Sequence, residues 1–235
     1  MLDFQYLREN PENPYRLGRH QVPVAFDPDK DARHVSGLWF KAVRYTSWTE
    51  YLPSFDQGNL GSCTANAALG CLVTEPFGAA GVNLTETDAV KLYELETRID
   101  DSQIPGEYPP NDTGSTGAWS MQALIKEGKI KDYIHTRSFG LALRMLNNGP
   151  ISIGVTWYES MFTPDTYNVI DVDPTSQVAG GHQICIVGND VKNQQIRVRN
   201  SWGTDWGDNG HAWLTWESFD YLLDQGGDVV QPVVK

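Results

Sequence analysis

Between Ser62 and Thr74 the chain reads Ser-Cys-Thr-Ala-Asn-Ala-Ala-Leu-Gly-Cys-Leu-Val-Thr, with Ala65, Ala67, Ala68, Leu69 and Leu72 spaced as on a helix. Small side chains let a helix approach its neighbours closely, so the run predicts a tightly packed helix with Cys63 at its very start. At 235 residues the chain can bury a core without metal or disulfide staples, as one substantial domain or two small lobes sharing a cleft.

Three further helices are expected. One begins at Thr85, where Asp88 completes a capping box and Ala89, Leu92 and Tyr93 mark one face. A second spans 116–127, buries Met121, Leu124 and Ile125, and stops at Gly128. A third runs from a Ser138 cap through Leu146 and ends at Gly149-Pro150. Strands are predicted at 151–155, 183–187, 195–198 and 211–215, separated by Gly, Asn and Asp turns. A helical first half and a sheet-forming second half predict an α+β protein with two lobes. Residues 1–38, rich in Pro, Asp, Arg and Asn and without periodicity, read as an extended arm that either wraps the β-rich lobe or sits over the groove.

A net charge of −12 repels phosphate backbones and no basic stripe offsets it, so nucleic acid is not an expected partner. No apolar run approaches the roughly 18 residues of a membrane span. Met1 to Asn13 has neither a basic nor an apolar signal region, and the three cysteines make no disulfide framework, so a cytoplasmic or virion location is expected. Cys71 and Cys185 read as buried, inert thiols, with a bridge between them formally open. No cofactor or metal is expected. Asp27 to Leu38 resembles a calcium loop but has Ala32 and Leu38 where Gly and Glu are needed, and His20, His34, His135 and His211 lack ligand spacing. Asn83 and Asn111 head glycosylation-type triplets that read as chance matches.

The chemistry gathers in three distant segments, ending in Cys63, His182 and Asn200 with its following Ser-Trp-Gly. A thiol at a helix start lies beside the positive end of the dipole, which favours thiolate. An imidazole can share its proton, and an Asn can fix the ring's tautomer and orientation. Gln57, six positions before Cys63 on a Gly-punctuated loop, can complete an oxyanion hole with the Cys63 backbone N–H.

On Asp56-Gln57-Gly58-Asn59-Leu60-Gly61-Ser62-Cys63, Gly181-His182-Gln183 and Asn200-Ser201-Trp202-Gly203-Thr204-Asp205-Trp206-Gly207, the chain resembles the papain-like cysteine peptidases over about residues 39–222. The resemblance implies a peptidase domain at 39–235, with a helical lobe at about 55–130 carrying Cys63 and a β-barrel-like lobe at about 131–222 carrying His182 and Asn200. It also implies an extended polypeptide substrate in the cleft between them. Gln57, Cys63, His182 and Asn200 would be catalytic and Trp202 would cover the Asn–His bond. Gly114, Ser115 and Gly181 would pair with the substrate backbone. Thr64 after the nucleophile looks like bacterial or phage branches, the usual disulfide cysteines are missing, and Gly181 stands where some relatives carry Asp. The first 38 residues are shorter than the usual inhibitory propeptide and poor in helical pattern. The implied activity is that of a thiol endopeptidase. Alternatives are a cell-wall peptide or isopeptide hydrolase using the same site, or a non-catalytic binding protein on this scaffold.

Overall fold

The computed structural model describes residues 14–20, 27–101 and 106–234, so the reading of Met1 to Asn13 lies outside the described residues. Five helices are present among them: α1 (Cys63–Leu72), α2 (Glu86–Ile99), α3 (Gly117–Lys126), α4 (Phe139–Met145) and α5 (Trp216–Asp224). Seven strands accompany them: β1 (Thr46–Ser47), β2 (Asp132–Thr136), β3 (Ile151–Tyr158), β4 (Val178–Asp190), β5 (Gln195–Arg199), β6 (His211–Thr215) and β7 (Asp228–Val233).

All ten residues of α1 are buried, as expected of a helix enclosed by protein on every side. The start of α2 is fixed by the Asp88 carboxylate, which accepts from both the backbone N–H and the hydroxyl of Thr85 at 2.8 Å. The helix α3 starts at a Thr116 cap and stops before Gly128, whose φ of 69° suits a residue without Cβ. Met121 and Leu124 are fully buried there, while Ile125 is only half-buried at the edge.

The sheet runs β2-β7-β3-β4-β5-β6 with every pair antiparallel, and β1 adds to β4. It is open at β2 and β6 rather than closed, so the barrel-like expectation is corrected to an open antiparallel sheet packed with helices. The core has three parts. A larger apolar cluster collects around β3, β4, β5, β6, α4 and α5, and a smaller one around α1, α2 and α3. Ala67, Cys71, Cys185 and Val187 join the two where α1 lies on β4. Cys71 and Cys185 are free, with their sulfurs 3.6 Å apart.

The segment before Trp39 is not simply extended. Residues 28–30, 32–34 and 38–40 form short 3₁₀ turns, and Leu38 and Ala32 are fully buried in the larger cluster. Lys30 pairs with Asp132, and the His135 ring bonds the Asp27 carbonyl, so this stretch wraps the β-rich side.

Close packing of α1 yields a direct test. Ala68→Leu adds three carbons at a site with no exposed surface, and such overpacking costs about 1–3 kcal/mol. Thermal unfolding followed by circular dichroism should show a midpoint lowered by several degrees; an unchanged midpoint would mean that the helix has slack against its neighbours.

Candidate active site

Cys63 is the first residue of α1 and is fully buried. The loop leading to it is held at two points. Gly61 N–H donates to both oxygens of Asp112 at 3.2 and 3.0 Å, and Asp112 also accepts from the Tyr93 hydroxyl at 2.7 Å. That hydroxyl in turn accepts from Gly114 N–H at 2.7 Å, which ties the loop before Cys63 to the loop before Ser115. Gln57 is held by the other lobe, its backbone N–H donating to the Ser201 carbonyl at 2.9 Å and its Oε1 accepting from the Ser201 hydroxyl at 2.6 Å. One hydrogen of its Nε2 is used by the Leu60 carbonyl at 2.8 Å. A –NH₂ carries two, so a second remains for an anionic oxygen.

His182 lies within β4, opposite Val155 of β3, and not ahead of the strand as its sequence context implied. Asn200 follows the last residue of β5. Its Oδ1 accepts from His182 Nε2 at 2.8 Å and from Ser201 N–H at 2.8 Å. Two donors on one oxygen fix the amide orientation and place the imidazole proton on Nε2, leaving Nδ1 as the basic nitrogen of a neutral ring. That Nδ1 has no hydrogen-bond partner among the described residues. Trp202 covers the imidazole, stacking on it at 4.6 Å and 17°, and Trp157 meets it edge-on at 4.8 Å. Arg199, also buried, binds Glu50 and the Leu52 and Pro53 carbonyls, so the strand end that presents Asn200 is tied to the chain leading into Gln57.

Residues 14–20 cross this site. Tyr15 stacks on Trp202 at 4.6 Å, and Trp202 Nε1–H donates to the Arg16 carbonyl at 3.0 Å, with Arg16 itself paired to Asp112. Gly18 N–H faces the Cys63 sulfur, as does Gln183 N–H from the residue after His182. Ser115 N–H donates to the Gly18 carbonyl at 2.9 Å, Arg19 N–H to the Gly181 carbonyl at 3.0 Å, and His20 N–H to the Ser115 carbonyl at 2.8 Å. Ser115 and Gly181, expected to pair with an extended peptide, therefore pair here with the chain's own arm, while Gly114 packs against it. Only glycine fits at position 18, since a Cβ there would stand 1.9 Å from the Gly61 carbonyl oxygen.

The covered site is electrically quiet. Burial pushes the Cys63 thiol up to about 12, against the opposing pull of the Gln183 and Gly18 N–H groups and the Arg19 charge. Burial also pushes His182 down to about 4, with the Asn200 bond acting the other way. A thiol lowered by the helix start was the expectation; with the arm in place desolvation outweighs the dipole, and both groups stay neutral at pH 7. No hydrogen bond joins sulfur and ring in this state, although β4 brings Gln183 N–H onto the sulfur.

Sequence reasoning placed Tyr93 on the packed face of its helix and read the stretches at Leu92-Tyr93 and Asp112-Thr113-Gly114-Ser115 as part of the resemblance, without their bonds to the loop before Cys63, and it assigned no role to Arg19 or Asp228. Among the described residues no group of three or more His, Cys, Asp or Glu could hold a metal ion. No helix of the described residues is long and apolar enough to cross a membrane.

A model of the papain family of cysteine proteases matches residues 99–220, a stretch holding His182 and Asn200. Among curated proteins, an uncharacterized peptidase C1-like protein of Acanthamoeba polyphaga mimivirus is 37% identical over 222 residues, 79% of this chain and 70% of that one. Cathepsin J of Mus musculus is 24% identical over 222 residues, 81% of this chain and 64% of its own length. Among solved structures, xylellain, a cysteine protease from Xylella fastidiosa, superposes with a TM-score of 0.73 at 17% identity, covering 95% of this chain and 97% of that one. A bromelain protease from Ananas comosus gives 0.56 at 14% identity, covering 79% and 94%.

Two outcomes test the covered site. Iodoacetamide should alkylate Cys63 slowly at pH 7.5 in the unmodified chain and at least tenfold faster in Gly18→Val, where the arm no longer fits; equal rates would mean that the arm does not govern the thiol. The second concerns acid. The docked His20 ring bonds the Thr113 carbonyl and faces Asp100 and Arg19, and burial lowers it below its ordinary value more than Asp100 and the backbone bonds raise it. A lowered base favours docking when neutral, so its contribution is full above about 6.5 and is lost as pH falls toward the lowered docked value. Exchange protection of the Arg19 and His20 amides, corrected for intrinsic rate, should drop between pH 7.5 and 5, and His20→Gln should flatten that dependence. Persistence of the full drop in His20→Gln would assign it to another group.

Proposed function

Because this chain belongs to the papain family of cysteine proteases, we propose that it is a cysteine endopeptidase whose own N-terminal arm holds it latent. Membership supports cysteine peptidase activity, and the observation that carries the finer reading is the set of bonds at His182. Nε2 is committed to Asn200, Nδ1 is left basic and unpaired, and the next residue along β4 reaches the sulfur at the head of α1. This is the arrangement that lets one imidazole take a proton from a thiol and return it to a leaving group.

With the arm withdrawn, water and substrate replace its desolvating cover. The Cys63 proton passes to Nδ1 of His182, and the resulting thiolate is stabilised by the unpaired N–H groups opening α1. Attack on a peptide carbonyl forms the C–S bond and an oxyanion, which the Cys63 N–H and the remaining Gln57 Nε2 hydrogen would bind. His182 then gives its proton to the amine nitrogen as the C–N bond breaks. Water returns the cycle: its proton goes to His182, its oxygen joins the acyl carbon, and the C–S bond breaks to release a carboxylic acid and the thiolate. Trp202 and Asn200 keep the imidazole plane and tautomer constant throughout.

Endopeptidase action is supported by how the arm lies. Residues 15–20 continue past the sulfur in both directions, from Trp202 on one side to Ser115 on the other, so a chain can pass through without an end. The arm is not presented for cleavage. Gly18 N–H faces the sulfur, and the Leu17 carbonyl of the same planar trans peptide points the opposite way.

In the Gly18→Val chain, turnover of unstructured polypeptide and labelling by an epoxysuccinyl thiol trap should both appear, and Cys63→Ala should abolish both. Gln57→Ala should lower kcat by on the order of a hundredfold with little change in KM. Cleavage that survives Cys63→Ala, or cleavage of muropeptides in the absence of any polypeptide hydrolysis, would overturn the reading.

A further inference from the structure

Arg19 is 3% exposed and Asp228 1%, so the arm drives a full cationic side chain into the body of the protein beside the thiol. Its Nη2 donates to Asp228 Oδ2 at 2.9 Å and reaches toward the Gly226 carbonyl at 3.4 Å. Resting on the peptidase reading above, we propose that the pocket around Asp228 recognises a cationic side chain of the substrate, arginine above all, within two residues of the cleaved bond. Arg19 occupies it as the arm's stand-in for that side chain.

The pocket is made by the sheet, not by the arm. Gly154 of β3 pairs in register with Asp228 of β7, a pairing that does not involve the arm. The missing side chain at Gly154 is what makes the room: a Cβ there would stand 2.0 Å from Arg19 Nε, 2.6 Å from Arg19 Cδ and 2.6 Å from Asp228 Oδ1. Once vacated, the pocket ends in a carboxylate whose burial is costly without a cation. Arg19 Nε and Asp228 Oδ1 both lack a hydrogen-bond partner in the docked state, so the arm does not use all that the pocket offers. A substrate seated slightly differently could make the two-pronged guanidinium–carboxylate bond. A planar guanidinium also serves the Gly226 carbonyl and the carboxylate together, which a lysine ammonium does less well.

Position sets where the cation must lie. Gly18 is over the sulfur and Arg19 is the next residue, with its N–H on the Gly181 carbonyl. The net charge of −12 adds a long-range bias toward cationic peptides. Were the ion pair only a clamp for the arm, the same pocket would stand empty and anionic in the open enzyme and would still discriminate among substrates.

The test uses the full chain carrying Gly18→Val and a positional peptide library. Arginine should be selected over leucine by at least thirtyfold at one position within two residues of the cut, with lysine between them. Adding Asp228→Asn should remove that preference while Cys63 still reacts with the epoxysuccinyl trap. Gly154→Ala, which fills the pocket without touching the carboxylate's identity, should do the same and stands in should Asp228→Asn fail to fold. Binding is read separately by fluorescence polarisation of a fluorescein-labelled Pro-Tyr-Arg-Leu-Gly-Arg-His heptapeptide. Replacing its second arginine by alanine should weaken binding at least thirtyfold, and Asp228→Asn should erase the difference. Cleavage without arginine preference, a preference that survives both variants, or binding indifferent to that arginine would each overturn the proposal. Asp228-dependent binding with no cleavage and no Cys63 labelling would uphold the pocket and reject the peptidase reading.

Discussion

The contact of α1 with β4 brings the Cys63 sulfur and the His182 ring to the same seam, and the small residues of α1 are what permit it. Ala67 and Cys71 face Cys185 and Val187 across this seam, and a Cβ at Gly70 would already stand 3.2 Å from that of Cys185. Larger side chains would push the helix off the strand, and with it the sulfur away from the ring. The remaining bonds are consequences of that approach. Asp112 and Tyr93 fix the loop entering α1, while Ser201 and Arg199 fix the opposite side to the segments around Gln57. The first set ties the loop to the helical side and the second ties it to the end of β5, so the segment entering α1 is held from both cores.

Desolvation and the helix dipole act on Cys63 in opposite directions, and their sizes decide the state. A thiol held at about 12 against an ordinary value of 9.0 is disfavoured as thiolate by about 4 kcal/mol. A helix N-terminus contributes about 0.3–1 kcal/mol at exposed sites and about 2 kcal/mol in favourable buried ones. Burial therefore wins while Gly18 lies on the sulfur. Burial also pushes His182 down to about 4 while leaving the imidazole's bond to Asn200 intact. Latency as proposed above would need no distortion of the residues beneath the arm.

Much of this was legible in residue patterns because the signals are local. The α1 run, the Thr85–Asp88 box and the Gly128 stop each encode their structure within a few residues, and the segments at Gln57, His182 and Asn200 carry the chemistry in short strings. What stayed hidden depends on distant partners. The strand β7 was missed because Asp228-Val229-Val230-Gln231-Pro232 follows Gly226-Gly227 near the end of the chain and contains a proline, yet it sits between β2 and β3. β2 and α5 were missed for a similar reason, their short runs gaining definition only from β7 and from the larger core. Asp228 gives no hint of its role until Arg19, more than two hundred residues earlier in the chain, is seen against it. The arm's lack of periodicity read as an extended segment, and over residues 14–20 the backbone is held by hydrogen bonds to Ser115 and Gly181 that no single-segment pattern can show.

An inhibitor carried on the same chain works under different arithmetic from a free one. A tethered segment faces its groove at an effective concentration in the millimolar range for short flexible linkers, so modest intrinsic affinity suffices to keep the site closed. The price of that arrangement is that substrate must compete with it continuously, which makes the few strong contacts of the arm the controlling ones. Of these, the Arg19–Asp228 pair is the most buried, and losing one partner of such a pair typically costs about 2–5 kcal/mol. A change of that size moves the ratio of closed to open chains by a factor of about thirty to several thousand. On the proposed reading the arm would thus be both secure at rest and releasable by one local event, whether a cut between the arm and Trp39, protonation of His20, or a competing cation at Asp228.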